Sequence, residues 1–256
     1  MVFDINTAIG HWPFRQVPNH SASQLRALLT AKGIGGAATV NTHGLFYLNC
    51  HDANVELAEA IADHAGFFVG VATLNPMYAA WERDLSDCRE KLGLRALRLA
   101  PQYHGYRLDR PEALAIAKAA SGLAMPVLVP HRVVDPRGRH WFDTEQTVDL
   151  PDVLALCEAV PEATVIVTEA CFYANALLGE EGSVRYPNLY LELSRARDGM
   201  CKLPAEIAAE RMVFGTGAPF KCVTPALLKL DLAPELDEPA RRRIGWGNGR
   251  RLLGLM

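Results

Sequence analysis

A chain of 256 residues with a formal net charge of -3 lacks the basic excess that grips nucleic acid or an anionic membrane surface. Half of it is hydrophobic (50%) and 21% is charged, the balance of a protein with a large core rather than of a disordered one. No apolar run reaches the ~18 residues of a membrane span, and no basic segment leads into an apolar one at the N-terminus, so a cytoplasmic protein is expected.

The first expected strand is Val2-Phe-Asp-Ile-Asn-Thr-Ala-Ile9, whose period of two sets Asp4, Asn6 and Ala8 on one face. A loop with Gly10 and Pro13 follows, then a helix over 21–29 opened by a capping Ser21 and ended by Gly33. Residues 34–40 are short, small and apolar, a buried strand stopping at Asn41-Thr-His-Gly44. A helix over 51–64, a strand over 67–73, a helix over 78–91 and a strand over 94–99 continue the alternation. Pro111 starts the next helix at its first position, where proline fits. A strand over 125–129 runs into a long polar loop, 131–148. Then come a helix over 151–160, a strand over 163–168, a helix over 172–178, and strands over 189–193 and 212–216. Eight strands separated by helices, without a repeat or linker, predict a parallel sheet closed into a single (β/α)8 TIM barrel spanning 1–256. An open doubly wound sheet competes, but the Gly-rich phosphate-binding turn it needs after the first strand is missing. The scattered cysteines (Cys50, Cys88, Cys157, Cys171, Cys201, Cys222) contain no C-x-x-C pair and predict buried thiols, not disulfides or structural zinc.

Three motifs carry a resemblance. The first strand with Gly10 resembles the Asp-x-His-x-His opening of the amidohydrolase superfamily, in its amidohydrolase-2 branch. Arg211-Met-Val-Phe-Gly-Thr-Gly-Ala-Pro-Phe220 resembles that branch's Phe-Gly-Thr-Asp-x-Pro-Phe, and Trp246-Gly-Asn-Gly-Arg-Arg-Leu-Leu-Gly254 its closing helix. The resemblance implies the same barrel and a hydrolase acting at the C-terminal ends of the strands. It also implies a divalent metal on two histidines of strand one, histidines after strands five and six, and an aspartate after strand eight that doubles as general base. At those places this chain has Asn6, Ala8, His131, Thr168 or Glu169, and Gly217. One histidine does not hold a divalent ion where about three protein ligands are needed, so no metal and no other cofactor is expected. A metal on a rearranged set, His11 with His131 and Glu169, stays open but has no spacing signal.

Strand parity supplies the remaining candidates. Leu97 and Leu99 claim the helix side of the fourth strand, which turns Arg98 into the barrel. A buried guanidinium needs an acid or an anionic ligand. Glu192, inward on Leu189-Tyr-Leu-Glu-Leu-Ser194, is the structural alternative to the ligand. Tyr103 and His104 follow the fourth strand, and the fifth loop offers His131, Arg132, Asp135, Arg137 and His140. Arginines suit carboxylates or phosphates, and an Asp-His pair suits proton transfer. The expectation is therefore a hydrolase or lactonase for a small anionic molecule, with His131, Asp135, Glu169 and Glu192 as acid-base candidates. Asn6, Arg98, Tyr103, His104, Arg132, Arg137 and His140 are the substrate-binding candidates. The rival is a ligand-binding barrel that has lost the reaction. An acid-base pair facing the ligand cavity separates the two. No nucleic acid or membrane partner is expected, while self-association is common among such barrels.

Overall fold

The computed structural model describes residues 1–178, 185–196 and 203–255. Eight parallel strands run in sequence order: β1 (Val2–Ile9), β2 (Ile34–Asn41), β3 (Phe68–Thr73), β4 (Ala96–Arg98), β5 (Val127–Pro130), β6 (Val165–Thr168), β7 (Leu189–Glu192) and β8 (Met212–Val213). The segment after β8 returns to β1 through a parallel bridge between Thr7 and Ala218 and through Gly217 N–H donating to Asn6 O at 2.9 Å. This closes the expected (β/α)8 barrel.

Alternation along the strands sorts two cores. The exception is β1, which shifts register between Val2 and Phe3 and between Asp4 and Thr7, so that Ile5 and Ala8 share the inner cluster in place of the expected common face of Asp4, Asn6 and Ala8. Ile5, Val40, Val71, Ala96, Leu128, Ile166, Tyr190 and Val213, one from each strand, fill the inside of the ring. Leu97, Val129, Val167, Leu191 and Phe214 belong to the outer layer under the helices. The helices take their places by ordinary means: Ser21 caps Ala22–Ala31 by accepting from Gln24 N–H, and Pro111 begins Pro111–Gly122.

Some elements differ from expectation. β4 is three residues and β8 two, shorter than the apolar runs, although hydrogen bonds to the neighbouring strands continue past both: Leu99 N–H donates to Leu128 O at 3.0 Å and Ile5 N–H to Phe214 O at 2.9 Å. A helical turn, Pro101–His104, stands in the fourth loop, ended by Gly105 at φ 70°. At the other end of the barrel, buried Asn248 donates to Ala209 O and Met212 O, each at 2.8 Å, satisfying carbonyls next to β8. The closing motif is therefore structural: Trp246 also packs edge-on against Phe3 at 6.3 Å. Cys50, Cys88, Cys157 and Cys171 are buried free thiols, Cys222 is exposed, and Cys201 lies outside the described residues. Among the described residues no helix is long and apolar enough to cross a membrane.

Candidate functional site

β4 brings Arg98 to the mouth on the same face as Ala96, as its parity requires. The residue is 6% exposed. Its Nε donates to Thr73 Oγ1 at 3.2 Å, and one terminal nitrogen reaches Asn41 O at 3.5 Å, the outer limit of a hydrogen bond. No carboxylate among the described residues pairs with it. Burial pulls its pKa down to about 10, so the guanidinium still carries its charge at neutral pH. Its remaining donors face a narrow cavity of about 30 Å³, which Asn6, Arg132, Glu169, Gly217 and Phe220 also line. That is room for about one water, or for the head group of a ligand whose body lies elsewhere. Arg132 adds a second guanidinium, and its buried Nε has no partner among the described residues.

Glu192 does not neutralise Arg98. It is fully buried and turned to its own side of the ring, accepting Glu169 N–H at 3.0 Å and the backbone N–H of Ser194. Ser194 Oγ lies 2.9 Å from Glu192 and 3.2 Å from Glu169, and its single proton serves one of them at a time. Burial raises the Glu192 carboxyl above the usual range. Asp4 is raised to about 7 for the same reason. It accepts Thr216 Oγ1 at 2.6 Å and the N–H groups of Thr216 and Asn6 at 3.0 Å each, tying β1 to the segment after β8.

Glu169 is the hub. Its φ of 65° is uncommon for a residue with a side chain, a strain of order 1–3 kcal/mol that persists only where surroundings enforce it. One oxygen accepts from Asn6 Nδ2 at 3.3 Å, and the other is ion-paired to the Lys221 ammonium. Burial pulls Lys221 down to about 8. A carboxylate and an ammonium in contact, one lining the Arg98 cavity and the other beside it, form an acid-base pair at the mouth.

The donors present do not fit the family's divalent metal. The Asn6 amide serves Glu169 and Ala8 has no ligating atom. His131 donates from Nδ1 to Val148 O at 3.0 Å, and its Nε2 accepts from Arg132 at 3.3 Å, so both ring nitrogens are engaged. At Gly217, φ 75°, a Cβ would lie 2.9 Å from Glu169 Oε1 and 3.1 Å from Lys221 Cδ. The space in which an aspartate would begin is filled by the lysine stem. His11 sits exposed against His20, away from His131 and Glu169. Among the described residues no three His, Cys, Asp or Glu side chains converge as a metal set.

Of the residues singled out from the sequence, Asn6, Arg98, Arg132 and Glu169 line the narrow cavity. Asp135 and Arg137 line a wider neighbouring cavity of about 470 Å³, together with Arg195, Lys221 and Lys229. Tyr103 donates to Asp143 at 3.1 Å and packs against Trp12. His104 donates to Gly44 O at 3.0 Å, and burial pushes its pKa to about 4. His140 stacks on Phe14 and Trp141, outside both cavities. Lys221 escaped the sequence reading. Its signal was position, one residue past the strand-eight motif on the catalytic face.

The amidohydrolase family profile matches residues 6–255, and the chain belongs to that family. No curated protein sequence matches it. Among solved structures it is similar to 2,6-dihydroxybenzoate decarboxylase from Rhizobium, with a TM-score of 0.74 at 18% identity over 99% of this chain and 98% of that one. It is also similar to dihydroxybenzoic acid decarboxylase from Polaromonas sp. JS666, solved with bound manganese and the inhibitor 2-nitroresorcinol, with a TM-score of 0.74 at 17% identity over 99% and 97%. The 5-carboxyvanillate decarboxylase from Sphingomonas paucimobilis gives a TM-score of 0.75 at 14% identity over 100% and 99%. At these identities the likeness is one of fold.

Proposed function

We propose that this amidohydrolase-family barrel binds a small organic carboxylate on Arg98 and acts on it as a hydrolase or lyase, without the family's divalent metal. The observation that carries this is Arg98 itself: a guanidinium nine-tenths buried, without a carboxylate partner among the described residues, aimed into the strand-end cavity. An unpaired charge in that setting is costly, and an anion removes the cost. Arg132 offers a second contact from the fifth loop. That related barrels are decarboxylases of dihydroxybenzoate and carboxyvanillate makes aromatic carboxylates the first compounds to test.

The enzyme reading is favoured over the mute binder by Glu169 and Lys221, an acid-base pair at the edge of the same cavity. Glu169 would take a proton from the ligand or its water, and Lys221 would return one. Glu192 would hold the Glu169 backbone and Asp135 would act on Lys221, while His131 would act only through Arg132. Four buried thiols suit a reducing compartment such as the cytoplasm.

The test is ligand-induced thermal stabilisation with benzoate, dihydroxybenzoates and short aliphatic acids, followed by product analysis. A charged hydrogen-bond partner is worth about 1.5–3 kcal/mol, so Arg98→Met should weaken binding ten- to a hundredfold while the fold persists. Glu169→Gln should abolish turnover and leave binding measurable. If no anion stabilises the wild type, or Arg98→Met merely unfolds it, the reading fails. Binding without turnover of any member of the panel would assign the chain to the non-catalytic class.

A further inference from the structure

Of the cavities that adjoin the narrow one at the barrel mouth, one is linked to it by an ion pair, with Glu169 in the first wall and Lys221 in the second. The narrow one holds Arg98 and Glu169, the wide one Lys221 and Arg195, and Phe220 lines both. Strand order sets Arg98, on β4, across the ring from Lys221, which follows β8. Neither cation has its donors filled. Arg98 has five N–H groups and uses one well. The Lys221 ammonium has three, and among the described residues its single partner is one oxygen of Glu169. Glu169 is in turn fixed by Asn6, so the lysine is held in place with two donors unused. The head-group-sized volume at Arg98 leaves the body of a ligand to a wider space beside it. The cavity of about 300 Å³ that shares Arg132 and Val133 is lined by Asp143 and Glu145, which disfavour a second negative charge, whereas the one past Phe220 presents Lys221.

We infer that the two cavities are halves of one site for a dianionic ligand, with one carboxylate on Arg98 and the second on Lys221, whose ammonium serves as the resident cation in the place a family metal would take. This deepens the carboxylate-binding reading and rests on it. A monoanion would use only the Arg98 half. A dianion would span both and gain a second charged hydrogen bond. The groups around Lys221 are consistent with an added negative charge. Glu169 and Asp135 are the acids that act on it or touch it, against Arg132, Arg137 and Lys229, with Arg195 on the same cavity wall.

The experiment is calorimetric titration of the full chain with matched pairs, glutarate against valerate and isophthalate against benzoate. The dicarboxylate of each pair should bind about tenfold more tightly, the worth of one further charge-assisted hydrogen bond. Lys221→Met should bring that advantage below about twofold while the monocarboxylate still binds. If Lys221→Met leaves Glu169 too costly to bury, the double variant Glu169→Gln/Lys221→Met removes both charges and is read the same way. Equal affinity for mono- and dicarboxylates in the wild type, with both lost in Arg98→Met, overturns the inference and leaves the single-anion reading standing. An advantage that survives in both Lys221 variants also overturns it, because the second charge then binds elsewhere. If neither class binds, the carboxylate reading falls and takes the inference with it.

Discussion

At the strand ends Arg98 is 6% exposed and, among the described residues, without a carboxylate partner, whereas in the loop between β5 and Leu150–Ala159 the Arg137 side chain is 91% exposed and grips Asp135 at 3.0 and 3.2 Å. From Asp135 onward the loop behaves as Arg137 does. Asp135 also holds Arg195 at 3.5 Å, Arg139 is ion-paired to Glu145 and donates to Asp143 O at 2.7 Å, and Tyr103 reaches Asp143. A loop dense in both signs satisfies most of its own charges, since Arg137 and Arg139 find acids within a few residues; Arg132, next to the strand end, is the exception. A strand end cannot: its direction is set by the pleat and its neighbours by the ring, so a charge placed there waits for whatever enters. Richness in polar residues thus pointed to the loop as a whole, while unmet valence lies at the strand ends, on Arg98 and on Arg132 and Lys221 in the segments that follow β5 and β8.

The sharpest break of this contrast is on the strand side. Asp4→Ala orphans three donors, Asn6 N–H, Thr216 N–H and Thr216 Oγ1, where the ring closes. It should cost about 3 kcal/mol in urea unfolding at neutral pH, given about 1–3 kcal/mol for each buried donor left unsatisfied and partial relief by relaxation. A loss under about 1 kcal/mol would mean that the strand-end frame is not rigid.

Next is pH, where the two regions should pull in opposite directions. Asp4 is raised to about 7, and Glu192 is raised too, so each binds a proton more tightly folded than unfolded. Their contribution is present in full below the unfolded carboxylate values near 4 and is lost as pH climbs through the folded values. Asp135 is lowered, chiefly by Arg137, so its contribution is present above its unfolded value and is lost as pH falls below it. Urea unfolding across pH 3–8 should show Glu192→Gln flattening the fall in stability toward pH 7, and Asp135→Asn flattening the acid limb. A Glu192→Gln curve parallel to the wild type would remove the strand-end carboxyls as the source of the slope.

The smallest effect belongs to the exposed pair itself. Arg137→Met should change stability by less than about 0.5 kcal/mol and carboxylate affinity by less than about twofold, because an ion pair in solvent contributes little. A large loss of binding in that variant would mean that the loop closes on the ligand and that the contrast drawn here is one of the unliganded state only.

How much of this was legible beforehand follows from the range over which each feature is encoded. Alternating apolar runs and helical spacing are local, and they announced eight strands, the barrel, and the inward turn of Arg98 without any tertiary information. The loss of ligating side chains at Asn6, Ala8 and Gly217 was equally visible, since a missing atom needs no structure to be noticed. What remained hidden depends on residues far apart in the chain. That Glu192 turns to Ser194 and Glu169 rather than to Arg98 is decided by the strained backbone at Glu169 and the packing of β6 against β7. That Asp135, already paired to Arg137 inside its loop, also meets Arg195 depends on a residue arriving from beyond β7. That Lys221 lies over Gly217 and meets Glu169, fifty-two positions away, depends on ring closure between the first strand and the last. Sequence determined which groups line the ring wherever a strand keeps its period, because side-chain direction is then a property of the strand; only the closed barrel decided where β1 shifts its register and which groups meet, because partners across a ring share no local pattern.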